Sequence, residues 1–147
     1  MIITLVKKQK GIAFINDMEK TYNSLEELEK LYERTDNMKL YVELENWKYY
    51  LQHPEEEIEI TESLVNKEIS LSEFDLDILN AIKHENPKSI RDLANKIDKD
   101  VSNVQPKVHR LAKNGFISLK KGRKNSIIPY LNYDSIRLEI WTNHLFL

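Results

Sequence analysis

The chain of 147 residues contains no cysteine, which excludes disulfides, zinc–thiolate sites and thiol nucleophiles. It has only three glycines, Gly11, Gly115 and Gly122, too few and too scattered for a phosphate-cradling loop. No apolar run approaches the length needed to cross a bilayer. The opening stretch "MIITLVKKQKG" puts its apolar part before its basic part, the reverse of a secretory signal, so a cytoplasmic protein is expected. The most informative absence is local. From Val101 to Tyr133 there is no Asp or Glu, while seven cations fall in the same 33 residues: Lys107, Arg110, Lys113, Lys120, Lys121, Arg123 and Lys124.

What is present suits a folded protein with a true core: 41% hydrophobic and 31% charged residues. The length allows one ordinary domain or two small ones. Net charge is -2, unevenly placed. Residues 1–67 hold 9 Lys/Arg and 14 Asp/Glu, whereas residues 68–147 hold 13 and 10. Such asymmetry suggests an acidic module joined to one that binds an anion.

Along the chain, "MIITLVKKQKGIAFIN" reads as a hairpin, two β-rich runs around a basic turn with Gly11. "NSLEELEKLYER" opens a helix, with Ser24 and Glu27 spaced as a capping box and Leu25, Leu28 and Leu31 on one face. "MKLYVELENW" alternates apolar Leu40, Val42 and Leu44 with Tyr41, Glu43 and Glu45, the pattern of a half-buried strand. The first module, residues 1–65, is therefore expected as β-β-α-β, with "NWKYYLQHP" a further strand or short helix. "PEEEIEITES" is an edge strand or a linker, and the boundary falls near 63–70.

The second module, 68–147, begins with a helix from about Glu73 to His84, capped by Ser72 and burying Phe74, Ile78, Leu79 and Ile82. Pro87 ends it. Ser89 caps a short helix over Ile90 to Ile97, "DKDVS" makes a tight turn, and a third helix runs to about Lys113 with a left-handed stop at Gly115. "GFISL", a basic turn with Gly122, and "SIIPY" form a hairpin, and "SIRLEI" a last strand. The fold class expected is α+β, a C-terminal winged helix-turn-helix with a small N-terminal module. Ile136, Leu138, Ile140 and the terminal "HLFL" are expected to leave apolar surface that seeks a partner.

On a helical wheel Val101, Val104, Val108 and Leu111 fall inward, and Ser102, Asn103, Pro106, His109, Arg110 and Lys113 outward. An acid near DNA phosphates would be repelled, while Lys and Arg release counterions. Asn and Arg also offer paired contacts to adenine and guanine in the major groove. In a helix-turn-helix the N-terminal part of the second helix faces the bases. This favours Ser102, Asn103, Pro106 and Arg110 as base-facing, with Gln105 and Lys107 at the margins. Pro106 lies near the helix start, where a missing N–H costs little. The hairpin tip, Lys120, Lys121, Arg123 and Lys124, would grip phosphates or the minor groove.

The stretches "LDILNAI" (76–82), "SIRDLANKIDKDVSNVQPKVHRLAKNGFI" (89–117) and "GRKNSIIPYLNYDSIRLEI" (122–140) resemble a family of prokaryotic winged-helix proteins described as predicted transcriptional regulators or antitoxin-like, within the wider MarR-like group. The resemblance covers 71–140 and implies operator binding through the helix holding Asn103 to Lys113, and a dimer. Pro106 departs from it, since the family fills that position with a polar or charged residue. The first module lies outside the resemblance.

No catalytic constellation is present in the first module, so the chain is not expected to be an enzyme. His53, His84, His109 and His144 are scattered without metal-ligand spacing, and neither metal nor cofactor is expected. The aromatic group Tyr41, Trp47, Tyr49 and Tyr50 serves a core, a subunit contact or the stacking of a base or effector. The expectation is thus a sequence-specific regulator of double-stranded DNA, a repressor or autoregulator. Its first module would dimerise, sense an effector or bind protein. The alternative is an antitoxin or mobile-element inhibitor whose acidic module blocks a protein partner.

Overall fold

In a computed structural model, described here for residues 2–64 and 69–140, the chain is mixed α+β, with six helices and two small antiparallel sheets among the described residues. No helix among them is long and apolar enough to cross a membrane. The chain divides into two compact units, Met1–Val6 with Thr61–Leu147, and Lys7–Ile60. The division falls within strand β1 (Ile2–Lys10) and within strand β2 (Glu57–Leu64) rather than at a single linker.

The Lys7–Ile60 unit corrects the expected β-β-α-β order. After β1 come three helices, α1 (Gly11–Tyr22), α2 (Leu25–Thr35) and α3 (Met38–Gln52), before β2. No hairpin turns at Gly11; a helix starts there. Its amide donates to the Glu56 carbonyl at 2.7 Å and the next amide to Pro54 at 2.8 Å, so residues 54–56 satisfy N–H groups that a helix start leaves open. A Cβ on Gly11 would lie 2.8 Å from both the His53 carbonyl and the Tyr50 ring, so only glycine fits. The expected strand over 38–47 is also a helix. Asn37 caps it by accepting from the Lys39 amide at 2.9 Å. The apolar residues that count are Leu40, Leu44 and Trp47, spaced by four and three. Val42, which completed the apparent alternation, is exposed. α2 is capped by Ser24 as expected, but the Glu27 carboxylate accepts from Asn23 instead of closing the box. The core of this unit gathers Phe14, Ile15, Leu28, Leu44, Trp47 and Ile58.

The other unit follows its expected order closely: α4 (Glu73–Glu85), α5 (Ile90–Lys96), α6 (Val101–Lys113), β3 (Ser118–Lys121), β4 (Ile127–Tyr130) and β5 (Ser135–Glu139). Ser72 caps α4 in a full capping box with Asp75, and Ser89 caps α5. Asp98 takes a left-handed conformation in the turn between α5 and α6. α6 ends in a Schellman motif. Gly115 has φ 91°, the Phe116 amide reaches the Leu111 carbonyl at 2.9 Å, and the Gly115 amide reaches Ala112 at 3.1 Å. Ile78, Leu93, Val104, Val108 and Phe116 are fully buried at the centre of the core.

β1 joins this core, which the sequence reading did not foresee. It pairs antiparallel with β5, Ile2 opposite Glu139 and Val6 opposite Ser135, in a sheet ordered β2-β1-β5. Ile3 and Leu5 lie in the same apolar cluster as α4, α5 and α6. "PEEEIEITES" thus contributes an edge strand and not a linker. Leu138 and Ile140 are exposed as expected, while Ile136 is half-buried. The terminal "HLFL" lies outside the described residues.

If β1 belongs to that core, Leu5→Ala should destabilise the unit built on α4–α6 by about 2–5 kcal/mol. Native-state amide exchange would show it as lost protection in α6, with α2 and α3 unchanged. Loss confined to α2 and α3 would contradict the assignment.

Candidate nucleic-acid interface

α6 has one apolar flank, and everything else about it follows from what that flank buries. Val104, Val108 and Leu111 are inaccessible, which turns Ser102, Gln105, Pro106, His109 and Lys113 to solvent. These five carry no acid, and Asn103 and Arg110 are exposed beside them. Pro106 is the sixth residue of α6, beyond the first turn, so it does not occupy the harmless starting position expected of it. Its ring removes the amide that would otherwise bond the Ser102 carbonyl.

The remaining candidates on α6 face a flank shared with α4. Arg110 does not extend freely outward: its Nη2 donates to both carboxylate oxygens of Asp75, at 2.7 and 2.8 Å. Lys107 stands 3.6 Å from the same carboxylate and 5.2 Å from the centre of the Phe74 ring. Asn103 is exposed but borders a shallow cleft with Lys107, Lys99, Glu73 and Asp77. The stretch 101–133 is acid-free in sequence, yet folding sets three carboxylates of the first turns of α4 near one flank of α6. Asp75 is neutralised there by its partners, whereas Glu73 and Asp77 are exposed.

Asp75 is the residue that sequence reasoning missed. It is 1% exposed and accepts a hydrogen bond from the Ser72 amide at 2.8 Å, while the Ser72 hydroxyl accepts from its own amide. Burial alone would raise its pKa. The Ser72 hydrogen bonds, and then the charges of Arg110 and Lys107, outweigh burial and hold it below the ordinary carboxylate value. The Ser72–Asp75 capping spacing was legible, but the attachment of Arg110 required the fold.

The β3–β4 hairpin pairs Ser118 with Tyr130 and Lys121 with Ile127. Its tip carries the four expected cations, of which Lys120, Lys121, Arg123 and Lys124 are all exposed. Lys120 lies over the Tyr130 ring, 5.1 Å from its centre. The bend itself is made by Lys124 and Asn125, at φ 54° and 62°. Gly122 is required for space: a Cβ there would meet the Ser126 hydroxyl at 2.6 Å and Ile128 at 2.9 Å. Behind the hairpin, the buried Tyr133 hydroxyl donates to the Phe116 carbonyl at 2.8 Å, and burial pushes its pKa up to about 12. No group of three or more His, Asp or Glu among the described residues could hold a metal ion.

A family model named HVO_A0114 matches residues 70–138, just under half of the chain, so this segment is similar to that family. No curated protein and no solved structure matches the chain.

Because the pKa of Asp75 is lowered on folding, its contribution is complete above the unfolded carboxylate value. It is lost as pH falls through the depressed native value. Asp75→Asn should therefore cost about 2–3 kcal/mol near neutral pH, from the weakened cap and the lost charge-assisted bond. It should also flatten the acid limb of the stability profile. Chemical denaturation across a pH series measures both, and an unchanged acid limb would show that Asp75 is not the linked group.

Proposed function

We propose that residues 72–130 form a winged helix-turn-helix that binds double-stranded DNA, and that the chain is a cytoplasmic, non-enzymatic transcriptional regulator. The observation that carries this reading is the pairing, within one unit, of an acid-free outward face on α6 with a four-cation tip on the β3–β4 hairpin. Helix, short helix, turn, helix and hairpin follow in the order such a domain requires. In this reading Ser102, Asn103, Gln105, Pro106 and His109 meet base edges, with the Pro106 ring suited to a thymine methyl. Lys113, Lys120, Lys121, Arg123 and Lys124 meet phosphates. Arg110 and Lys107 hold α6 at its angle on α4 through Asp75, and Arg110 keeps donors beyond the one nitrogen that Asp75 engages. Regulators of this kind act as dimers on paired half-sites, and a homodimer is proposed here.

A second reading concerns the Lys7–Ile60 unit. It holds 8 Lys/Arg against 13 Asp/Glu. On α3, Met38, Tyr41, Val42 and Tyr49 are exposed at 65%, 40%, 51% and 45%, and their spacing puts them on one stripe. An acidic unit with an apolar stripe suits a basic protein surface, which supports an antitoxin or inhibitor role with the DNA-binding unit as autoregulator.

For DNA binding, log affinity should fall linearly with log salt, by about 0.9 per neutralised phosphate. Lys121→Ala with Arg123→Ala should weaken all sequences alike and lower that slope. Asn103→Ala should cost roughly 1–3 kcal/mol on the preferred site and relax one position. Binding assays over a salt series, on DNA selected from a random pool, test all three. A flat salt response would overturn the reading.

A further inference from the structure

β5 is an outer strand of the sheet ordered β2-β1-β5, so among the described residues one of its edges has no strand beside it. Proteins block such edges with proline or with charges of one sign. The other edge strands have this protection: β4 holds Pro129, β3 ends in Lys120 and Lys121, and β2 carries Glu57, Glu59 and Glu62. The stretch "IRLEI" (136–140), which spans most of β5 and the residue after it, has neither device. Leu138 is 58% exposed and Ile140 81%.

This stretch is complementary to itself. Laid antiparallel to a copy about a two-fold axis at Leu138, it sets Arg137 opposite Glu139 twice and Ile136 opposite Ile140 twice. Leu138 meets Leu138. A slip of one residue puts apolar side chains opposite charged ones. A slip of two puts Arg137 opposite Arg137, or Glu139 opposite Glu139. The apolar members share the face of Ile3 and Leu5, since Leu5 pairs with Ile136 and Ile3 with Leu138. That face borders a cleft of about 390 Å³ within the same unit, lined by Ile136, Leu79, Leu131 and the 49% exposed Leu76. Ile140 of a second copy, opposite Ile136, lies at the rim of this cleft.

We propose that β5 pairs antiparallel with β5 of a second copy of this chain, in the register that sets Arg137 against Glu139. The two three-stranded sheets become one, ordered β2-β1-β5-β5-β1-β2. Arg137 also interacts within its own chain, and its five N–H donors can serve a second carboxylate. The pairing covers Leu138 and Ile140 and relates the two α6 helices by the same axis. It gives the homodimer of the regulator reading its surface, and rests on that reading for the presence of two copies.

The test uses the full chain without DNA, its mass followed by sedimentation over a dilution series. The native chain is expected to have the mass of two copies. Arg137→Glu alone and Glu139→Arg alone each turn two attractive cross-strand pairs into two repulsive ones, and each should raise the dimer Kd by about tenfold or more. Mixed in equal amounts, the two variants have every pair restored, and they should associate one to one with about the native Kd. A variant that failed to fold could not do this, so the mixture separates a broken contact from a broken fold. A monomeric native chain, single variants that dimerise as tightly as the native chain, or a mixture no tighter than either variant alone would each overturn the proposal. A native dimer indifferent to both reversals leaves the homodimer of the regulator reading standing and removes this surface from it. DNA affinity, measured separately on the native chain, decides the regulator reading, and its absence leaves the sedimentation result as it is.

Discussion

The carboxylate of Asp75 is the constraint on which the unit built on α4–α6 depends. A buried charge is costly unless its lone pairs are engaged, and here Ser72, Arg110 and Lys107 engage them. The same group closes the capping box of α4, near the positive end of that helix's dipole. One side chain thus starts α4 and fastens α6 to it. Val104, Val108 and Leu111 buried on one flank and Arg110 tied on another together set the rotation of α6 about its axis. The outward set of residues is a consequence of that clamp as much as of the apolar pattern.

Most of this unit was legible because its signals are local. Ser72, Ser89 and Gly115 each act within one helical turn, and the structure uses all three as caps. The Lys7–Ile60 unit was misread because its evidence conflicts over short distances. "MKLYVELENW" satisfies a two-residue period through Val42 and a helical period through Trp47. Nothing in ten residues says which of the two will find a core. The Asn37 cap, which favoured the helix, was there to be read. Gly11 misled differently: glycine is needed there for closeness to His53 and Tyr50, not for a reversal of the chain.

The candidate interface was legible in part for the same reason. Which face of α6 is outward follows from periodicity alone, and the structure agrees for Ser102, Asn103, Pro106, His109, Arg110 and Lys113, all exposed, while Gln105, placed at the margin, is exposed as well. What periodicity cannot show is the neighbour. Arg110 and Lys107 lie on the part of the wheel where α4 approaches, and only the tertiary fold brings Asp75, Glu73 and Asp77 there. A charge count along the chain measures the segment; the ligand would meet the surface.

The pairing of β1 with β5 has a kinetic consequence. Ile2 lies opposite Glu139, so this ladder joins residues from nearly opposite ends of the described chain. Loop closure of that length carries an entropic cost that helical hairpins avoid. The three helices of α1–α3 and the α4–α6 group can each form from near neighbours. The central strand must wait until β5 has emerged and the intervening chain has collapsed. Until then β1 has only β2 to pair with, and its β5 edge, with Ile3 and Leu5, stays open. This makes β1 the segment most exposed to mispairing between chains during folding.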